Sequence, residues 1–445
     1  MDKREILKIT TDNNIELIRL EHLDYCGIIR ARAVRQHRLA SVLETGINFS
    51  TAMLSFTVYE DLIEHPRYGA ADGDYFSVPD PNTFAIVPYA SSSARMFCDL
   101  LDHNGQPFEG CLRSILKKIV ADAQRQGIYF RVACELEGYL LRKENGRYLP
   151  ADQSKCFTVD GLDVQGEIIL EVIESLEQMG GVLEKVTAEY GPGQIEVNIK
   201  YADPLKAAED LITSTEAWRA IARKRGLTAT FMPKPFVGLA GSGLHLHINA
   251  IDQNGRNLFE DRSDQRGLNL SQFAYHFTGG ILKHARSICA FTSPTVNSYK
   301  RLQPGTWAPA QICYGAANRS VLVRIPEFTP RIEYRSPDGT CNPYLAIATA
   351  LAAGMDGVTN AIDPGAPTHV DIGHMEAAEL RERGIEFLPR SLGEAIAAER
   401  AEDPFLYSVL GAVVVDVFLR VREAEWNRFL AQVTEWETDT YIETY

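Results

Sequence analysis

The sequence lacks the long apolar runs that a membrane span requires. A spanning helix needs about 20 consecutive, predominantly apolar residues, whereas the longest runs here, such as 346–355 and 410–418, are short or interrupted. The opening stretch, MDKREILKITTDNN, also lacks the apolar core of a signal peptide. We therefore expect neither membrane insertion nor export.

Paired cysteines and an excess of positive charge are also missing. The eight cysteines of the 445-residue chain are scattered and form no CxxC pair, so we expect free, mostly buried thiols and a cytoplasmic location. Lys and Arg total 45 against 59 Asp and Glu, which gives a net charge of −14. This balance argues against binding to nucleic acid or to anionic membranes. The G-x-x-x-x-G-K-[ST] loop is absent as well, which excludes a P-loop enzyme.

What is present is a mixture of strand-like and helix-like segments. Residues 1–100 are rich in strand patterns, and the turn signal Asp102-His103-Asn104-Gly105 follows them. Beyond it, strands and helices mix without a linker or repeat, and we expect continuous helices over 270–287 and 406–434. The pattern predicts an α+β chain of two tightly packed parts, divided near residue 105.

Several segments place acidic, imidazole or guanidinium groups two residues apart: Glu135-Leu136-Glu137, His245-Leu246-His247, and Arg331-Ile332-Glu333-Tyr334-Arg335. On a strand, a step of two puts side chains on one face. Carboxylates on one face repel each other unless a cation lies between them, and such a set with one or two histidines suits Mg²⁺ or Mn²⁺. Each motif also has an ordinary interpretation: a solvated face, plain histidine hydrogen bonds, or cross-strand ion pairs.

An arginine cluster follows the acidic motifs. The cluster consists of Arg301, Arg319, Arg324 and Arg335, which lie within 35 residues of one another. The guanidinium fork matches carboxylate and phosphate oxygens, although any one arginine can equally belong to a surface ion pair. Acidic metal ligands beside arginines are what phosphoryl transfer from a nucleotide requires.

In their order along the chain, these motifs resemble the glutamine synthetase family. The resemblance covers most of residues 20–440. The matching strings are Glu135-Leu136-Glu137, Glu189 with Gly193-Gln194-Ile195-Glu196, Met232-Pro233-Lys234-Pro235, Gly241-Ser242-Gly243-Leu244-His245-Leu246-His247, Asn297-Ser298-Tyr299-Lys300-Arg301-Leu302, Asn318-Arg319-Ser320 with Arg324-Ile325-Pro326, and Arg331-Ile332-Glu333-Tyr334-Arg335 with Asn342-Pro343-Tyr344.

The resemblance implies a fold and an assembly. Residues 1–105 would form a small β-grasp-like domain, and 106–445 a catalytic domain with an antiparallel sheet and flanking helices. Subunits would form hexameric rings, often paired as dodecamers, with each active site between neighbours. The implied chemistry has two steps: ATP phosphorylates the γ-carboxylate of L-glutamate, and an amine nitrogen then attacks the acyl phosphate to give a γ-glutamyl amide.

The resemblance also implies a role for each motif residue. Two divalent ions, Mg²⁺ or Mn²⁺, would be held by Glu137, Glu189 and Glu196 and by Glu135, His245 and Glu333. The residues implied for substrate glutamate are Gly241, His245, Arg301 and Arg335. Those implied for ATP are His247, Asn249, Arg319 and Arg324. The catalytic arginines would be Arg301 together with Arg319 and Arg324, the two that face the transferring phosphoryl group.

Three positions depart from the family pattern. Ser50 stands where an aspartate serves ammonium, Trp307 replaces a glutamate of the flap, and Ala240 replaces an asparagine. Ammonium favours nearby carboxylates, whereas an indole offers an apolar, cation-binding face. The exchange suits an amine with a carbon tail. We therefore expect a glutamate–amine ligase with L-glutamate and a small amine as substrates, and with Ser50 and Trp307 at the amine pocket.

Several alternatives stay open. The chain can be an ammonia-using glutamine synthetase in which Trp307 is packed in a closed flap, a ligase of another acid, or a non-catalytic relative, although every ligand position is filled. The amine can be an alkylamine, an arylamine or a polyamine. A polyamine would need an acidic group for its distal nitrogen, and the sequence places none. Because Ile372-Gly373-His374-Met375 stands roughly where the family's adenylylated tyrosine is expected, we do not expect control by adenylylation.

Overall fold

The computed structural model of the chain describes residues 1–402 and 404–445. Its N-terminal strands are β1 (Leu17–Leu23), β2 (Ile29–Arg35), β3 (Ile47–Ser50), β4 (Asp74–Pro79), β5 (Ala85–Ile86) and β6 (Ser93–Leu101). They form one six-stranded sheet in the order β2-β1-β6-β4-β3, with β5 beside β6. β1 and β6 run parallel, and the other pairs are antiparallel.

A second, nine-stranded sheet follows. Its strands are β7 (Tyr129–Glu144), β8 (Arg147–Pro150), β9 (Leu183–Ala188), β10 (Gln194–Ala202), β11 (Thr228–Thr230), β12 (Leu244–Ile251), β13 (Tyr314–Ala316), β14 (Val323–Ile325) and β15 (Ile332–Tyr334). The order is β13-β14-β15-β12-β7-β10-β9, with β8 and β11 also paired to β7. All pairs are antiparallel except β13 with β14.

Helices cover and connect the two sheets, which confirms the predicted α+β class. They are α1 (Lys3–Asp12), α2 (Leu39–Thr45), α3 (Leu112–Arg125), α4 (Val159–Val164), α5 (Gly166–Gln178), α6 (Pro204–Lys224), α7 (Gln272–Lys283), α8 (Ala285–Thr292), α9 (Ser298–Arg301), α10 (Pro343–Thr359), α11 (Ala377–Glu382), α12 (Leu392–Glu402), α13 (Pro404–Leu410), α14 (Ala412–Leu430) and α15 (Glu435–Tyr441). Short 3₁₀ turns lie at Gln36–Arg38, Thr51–Ser55 and Pro81–Thr83.

Two helices that the sequence predicts as continuous are broken. The segment 270–287 divides into α7 and α8 at His284, which hydrogen bonds to Asp356 at 2.8 Å. The segment 406–434 divides into α13 and α14 at Gly411, whose φ of 93° lies outside the range of a right-handed helix. The prediction of single helices over these segments was therefore wrong.

The two sheets share a continuous hydrophobic core that reaches from the β3–β6 region to α14. Polar links join the parts as well: the side-chain amide of Asn342, the N-cap of α10, donates to the carbonyl of Asp24 at 3.0 Å. The predicted boundary near residue 105 falls between the end of β6 and the start of α3. All eight cysteines are free thiols. None of the helices within the described ranges is long and apolar enough to cross a membrane.

Candidate active site

The central strand β7 positions the two carboxylates on which the site is built. Glu135 and Glu137 share a face of β7, because side chains two apart point the same way. In the neighbouring β12, His245 lies opposite Glu135, and in β10, Glu196 lies opposite Glu137. The alternation that the sequence shows therefore places these carboxylates and imidazoles on one surface of the sheet.

Glu135 is held by donors from both neighbouring strands. Its Oε1 lies 2.8 Å from His245 Nδ1, and its Oε2 accepts from the side-chain amide of Asn198 at 2.7 Å. Burial raises the pKa of Glu135, but hydrogen bonding to His245 and His247 outweighs burial, so its pKa lies well below the usual range. The lowered pKa favours the ionised form of the Glu135 carboxylate at neutral pH.

Glu333 is the most deeply buried carboxylate of the group, and it lies between two arginines. Its Oε1 accepts from Arg335 at 2.5 Å and its Oε2 from Arg324 at 2.6 Å. Burial raises the pKa of Glu333, but the charge of Arg335 and weaker contributions, including Arg324, lower it to about 2. The predicted same-face arrangement of Glu333 and Arg335 is confirmed by this contact.

Glu137, Glu189 and Glu196 form a second acidic group. The backbone N–H of Gly243 donates to Glu137 Oε2 at 2.8 Å, and Lys185 lies 3.0 Å from Glu196. Burial and the charge of Glu137 raise the pKa of Glu189. Burial and the charge of Glu135 raise the pKa of Glu196 to about 8. Crowded carboxylates with raised pKa values are the expected signature of a place where a cation belongs.

The arrangement fits a divalent cation. Glu135, His247 and Glu333 each present a ligand atom, and these atoms lie within 4.8 Å of one another. His245 is close as well, with Nδ1 3.5 Å from Glu333 Oε1. Both histidines therefore lie near the carboxylates predicted for the second ion: His245 is 2.8 Å from Glu135, as the prediction requires, and His247, which the sequence assigns to ATP, lies within the 4.8 Å set. Oxygen-rich sets of this kind suit Mg²⁺ or Mn²⁺ better than zinc.

Arg301 is packed between two glycines. A Cβ on Gly241 would lie 2.9 Å from Arg301 Cγ, and one on Gly243 would overlap Arg301 Nη2 and approach His245 Nε2 to 2.9 Å. The guanidinium is buried and donates to the carbonyls of Arg335, Ser336 and Pro337 at 2.9–3.1 Å. The Gly-Ser-Gly turn is therefore required for the close approach of Arg301 to the site.

Two arginines retain buried nitrogens for a further ligand. The Nε atoms of Arg324 and Arg335 are buried and have no hydrogen-bond partner within the described residues. Arg335 also donates through Nη2 to the carbonyl of Trp307 at 3.0 Å. Unpaired buried donors of this type fit an anionic substrate group.

The remaining predicted residues lie around this centre. Arg319 is exposed on the turn between β13 and β14, and Trp307 is 65% exposed in the segment after α9. Asn249 lies on β12 two residues beyond His247, opposite Arg131 of β7. Ser50 ends β3 in the other sheet, where its Oγ accepts from the N–H of Ala52 at 3.4 Å. Its role at an amine site between subunits stays a prediction.

Sequence reasoning missed three supporting residues: Lys185, Asn198 and Arg331. Lys185 and Asn198 neutralise or orient glutamates, and Arg331 donates through Nε to His247 Nδ1 at 3.2 Å. Two of them, Lys185 and Asn198, were missed because their place in the site depends on the register between strands. Lys185 and Asn198 pair across β9 and β10, and Asn198 lies opposite Glu135, a relationship that appears only when the strands are aligned.

Carboxylates that suit a cation, beside buried arginines, are an arrangement typical of enzymes that transfer phosphoryl groups. Residues 109–441 match the glutamine synthetase catalytic domain, and residues 2–108 match the glutamine synthetase N-terminal domain. The chain belongs to the glutamine synthetase family. It is accordingly a ligase of a family that uses ATP and divalent metals in nitrogen metabolism.

Relatives of two kinds are similar over the whole length. The chain is 38% identical to the glutamate–methylamine ligase of Methyloversatilis universalis, with 100% of both chains covered. It is 37% identical to the glutamine synthetase of Halobacterium salinarum, covering 100% of this chain and 97% of that one. Among solved structures, the GmaS/ADP complex superposes with a TM-score of 0.89 at 33% identity, covering 98% of this chain and 99% of that chain.

Proposed function

We propose that the protein is a glutamate–amine ligase that forms an N-substituted γ-glutamyl amide from L-glutamate, ATP and an amine. The observation that carries the proposal is Trp307. Its backbone carbonyl is bound by Arg335, beside Glu333, while its indole stays 65% exposed. The residue that carries this indole is thus held by its backbone beside Arg335, at a position where the family resemblance expects a glutamate. Similarity to a glutamate–methylamine ligase supports the proposal.

In the first step, an oxygen of the glutamate γ-carboxylate attacks the γ-phosphorus of ATP, and the bond from that phosphorus to the β-phosphate oxygen breaks. We assign Arg301 and Arg335 to the carboxylates of glutamate and Arg319 and Arg324 to the transferring phosphoryl group. Bound divalent ions would supply charge neutralisation on the phosphates, and the residues that would hold them are Glu135, Glu137, Glu189, Glu196, Glu333 and one or both of His245 and His247. His247 and Asn249 would lie toward ATP.

In the second step, the neutral amine nitrogen attacks the γ-carbonyl carbon of the γ-glutamyl phosphate. The carbon–oxygen bond to phosphate breaks, and the nitrogen loses a proton. An indole favours this step for an alkylated nitrogen, because the carbon tail leaves water on binding. Ser50 would face the amine from a neighbouring subunit, in a ring of the kind the family resemblance implies.

Steady-state kinetics with a panel of amines tests the proposal. With ATP, L-glutamate and Mg²⁺ or Mn²⁺ fixed, kcat/KM is expected to be higher for at least one alkylamine, arylamine or polyamine than for ammonia, with the amide identified by mass. If kcat/KM for ammonia exceeds that for every amine, the chain is an ammonia-using glutamine synthetase, like the relative of that name from Halobacterium salinarum. If no nucleotide is consumed with any acceptor, the chain is non-catalytic.

A further inference from the structure

A cavity of about 520 Å³ lies beside Trp307. Its walls come from three segments: the flap 305–307, the turn 316–320 that carries Arg319, and the loop 369–374. Ligand pockets for small molecules occupy about 300–1,000 Å³. The cavity is therefore far larger than a single methyl group on nitrogen requires.

The loop 369–374 is fastened on both sides of Arg319. The side-chain amide of Asn318 donates to the carbonyls of Thr368 and Val370 at 3.2 and 2.9 Å. The N–H of Ile372 donates to the Oγ of Ser320 at 3.1 Å. These bonds fix the cavity wall relative to Arg319, so the space is formed before a ligand enters.

The same loop also contacts the flap. Gly305 has a φ of 74°, and a Cβ at this position would lie 3.3 Å from Cε1 of His374. The absence of a side chain at Gly305 thus lets the flap approach the imidazole closely. Trp307, two residues further on, is held from the other direction by Arg335.

Two of the side chains that line the cavity, those of Trp307 and Asp371, suit a cationic group. Asp371 lines the cavity, and its Oδ1 accepts from the N–H of Gly373 at 2.9 Å, which fixes the carboxylate. An indole face and a carboxylate both attract an ammonium group. Arg319, on the adjoining wall, repels a cation but attracts phosphate oxygens. The cavity, whose wall also includes His369 and His374, therefore carries side chains that favour opposite charges.

We propose that this cavity holds the tail of the acceptor amine and that Asp371 binds a second, protonated nitrogen on that tail. The inference rests on the proposed ligase function and narrows it to an α,ω-diamine or a longer polyamine. The reacting nitrogen, which must be neutral to attack, points toward Arg319 and the acyl phosphate. The distal ammonium lies between Asp371 and the indole of Trp307. Asp371 is thus a specificity residue that acts by binding substrate.

Butylamine and butane-1,4-diamine test the proposal, because they differ only in the distal nitrogen. We expect kcat/KM to be about tenfold higher for the diamine. Asp371→Asn keeps an oxygen that accepts from Gly373, and we expect it to raise KM for the diamine about three- to tenfold while KM for butylamine and kcat stay unchanged. Asp102→Asn is the matched control, since Asp102 holds a turn through the N–H of Asn104 at 2.8 Å in the N-terminal part.

Each result decides one point. Equal kcat/KM for the two amines, or an equal effect of Asp371→Asn on both, overturns the inference while leaving the ligase function intact. Turnover of ammonia with none of methylamine, butylamine or the diamine overturns the proposed function itself and the inference with it. A diamine preference that Asp371→Asn removes and Asp102→Asn retains supports both.

Discussion

Arg335 bridges Glu333 and the backbone of Trp307. Its Nη1 donates to Glu333 Oε1 at 2.5 Å, and its Nη2 donates to the Trp307 carbonyl at 3.0 Å. A single guanidinium thus connects the candidate cation site to the flap beside the proposed amine pocket. The guanidinium reaches the two acceptors through two different nitrogens of a rigid fork, whereas a lysine offers a single nitrogen on a flexible stem.

The variant Arg335→Lys therefore tests whether the positive charge alone is sufficient for activity or whether both hydrogen bonds of the guanidinium are needed. The positive charge near Glu333 is retained, but one of the two bonds is lost, and we expect kcat to fall about 100-fold. Thermal unfolding of the variant shows whether the fold is intact. Arg383→Lys changes an exposed pair with Glu379 on α11 and should leave kcat within about twofold. An unchanged kcat in Arg335→Lys would remove the bridge from the mechanism.

Trp307→Glu is expected to move preference toward ammonia. The contact with Arg335 uses the backbone carbonyl, so the flap position does not depend on the side chain. The new carboxylate attracts ammonium and removes the apolar face, and the ratio of kcat/KM for ammonia to that for butylamine should rise about tenfold or more. Trp436→Glu is a matched control, because Trp436 is 64% exposed on α15. A constant ratio in Trp307→Glu would argue that the indole does not contact the amine.

Gly243→Ala is expected to damage the site without damaging the fold. The added methyl group would overlap Arg301 Nη2 and press on His245, so Arg301 must shift, and we expect kcat/KM for glutamate to fall about tenfold or more. In Gly166→Ala the new methyl group meets no atom within 4 Å, and activity should be unchanged. Equal activities of the two variants would contradict the packing argument for the Gly-Ser-Gly turn.

The buried Glu21 of strand β1 is expected to make the stability of the fold depend on pH. Burial and then the charge of Glu216 raise its pKa to about 8. Because the folded state holds this proton more tightly than the unfolded chain, its contribution is complete below about pH 4.5 and is lost as pH rises through about 8. The loss is up to about 1.4 kcal/mol per pH unit in that window.

Glu21→Gln removes this titration. The free energy of unfolding is measured with denaturant from pH 5 to 9 for the variant and the wild type. The value for the variant minus that for the wild type should increase as the pH rises to about 8. Glu16→Gln, at an exposed pair with Arg35, should follow the wild-type curve. If the Glu21→Gln curve runs parallel to the wild type, Glu21 does not titrate in this window.

The strands that carry the site residues could be predicted from the sequence, because the alternation of polar and apolar residues is a local pattern. Alternation at Glu135-Leu136-Glu137 and His245-Leu246-His247 reflects a strand with one polar and one buried face, and β7 and β12 have that form. The α+β class was predicted from the mixture of strand-like and helix-like segments, and the family from the motifs and their order. The proposed roles of individual site residues stay predictions.

What the sequence did not reveal depends on distant parts of the chain. The breaks at His284 and Gly411 interrupt otherwise helical patterns, and neither is marked by proline. Asp371 carries no motif, and it becomes notable only because Asn318 and Ser320 hold its loop beside Arg319. Pairings of this kind cannot be read from spacing.

The order of strands has a consequence for synthesis. Glu135 lies on β7 and Glu333 lies on β15, and β12 lies between these two strands in the sheet. During translation, Glu135 is therefore synthesised almost two hundred residues before Glu333. A nascent chain that ends before residue 333 lacks both Glu333 and Arg335, so the candidate site is incomplete until these two residues have been translated.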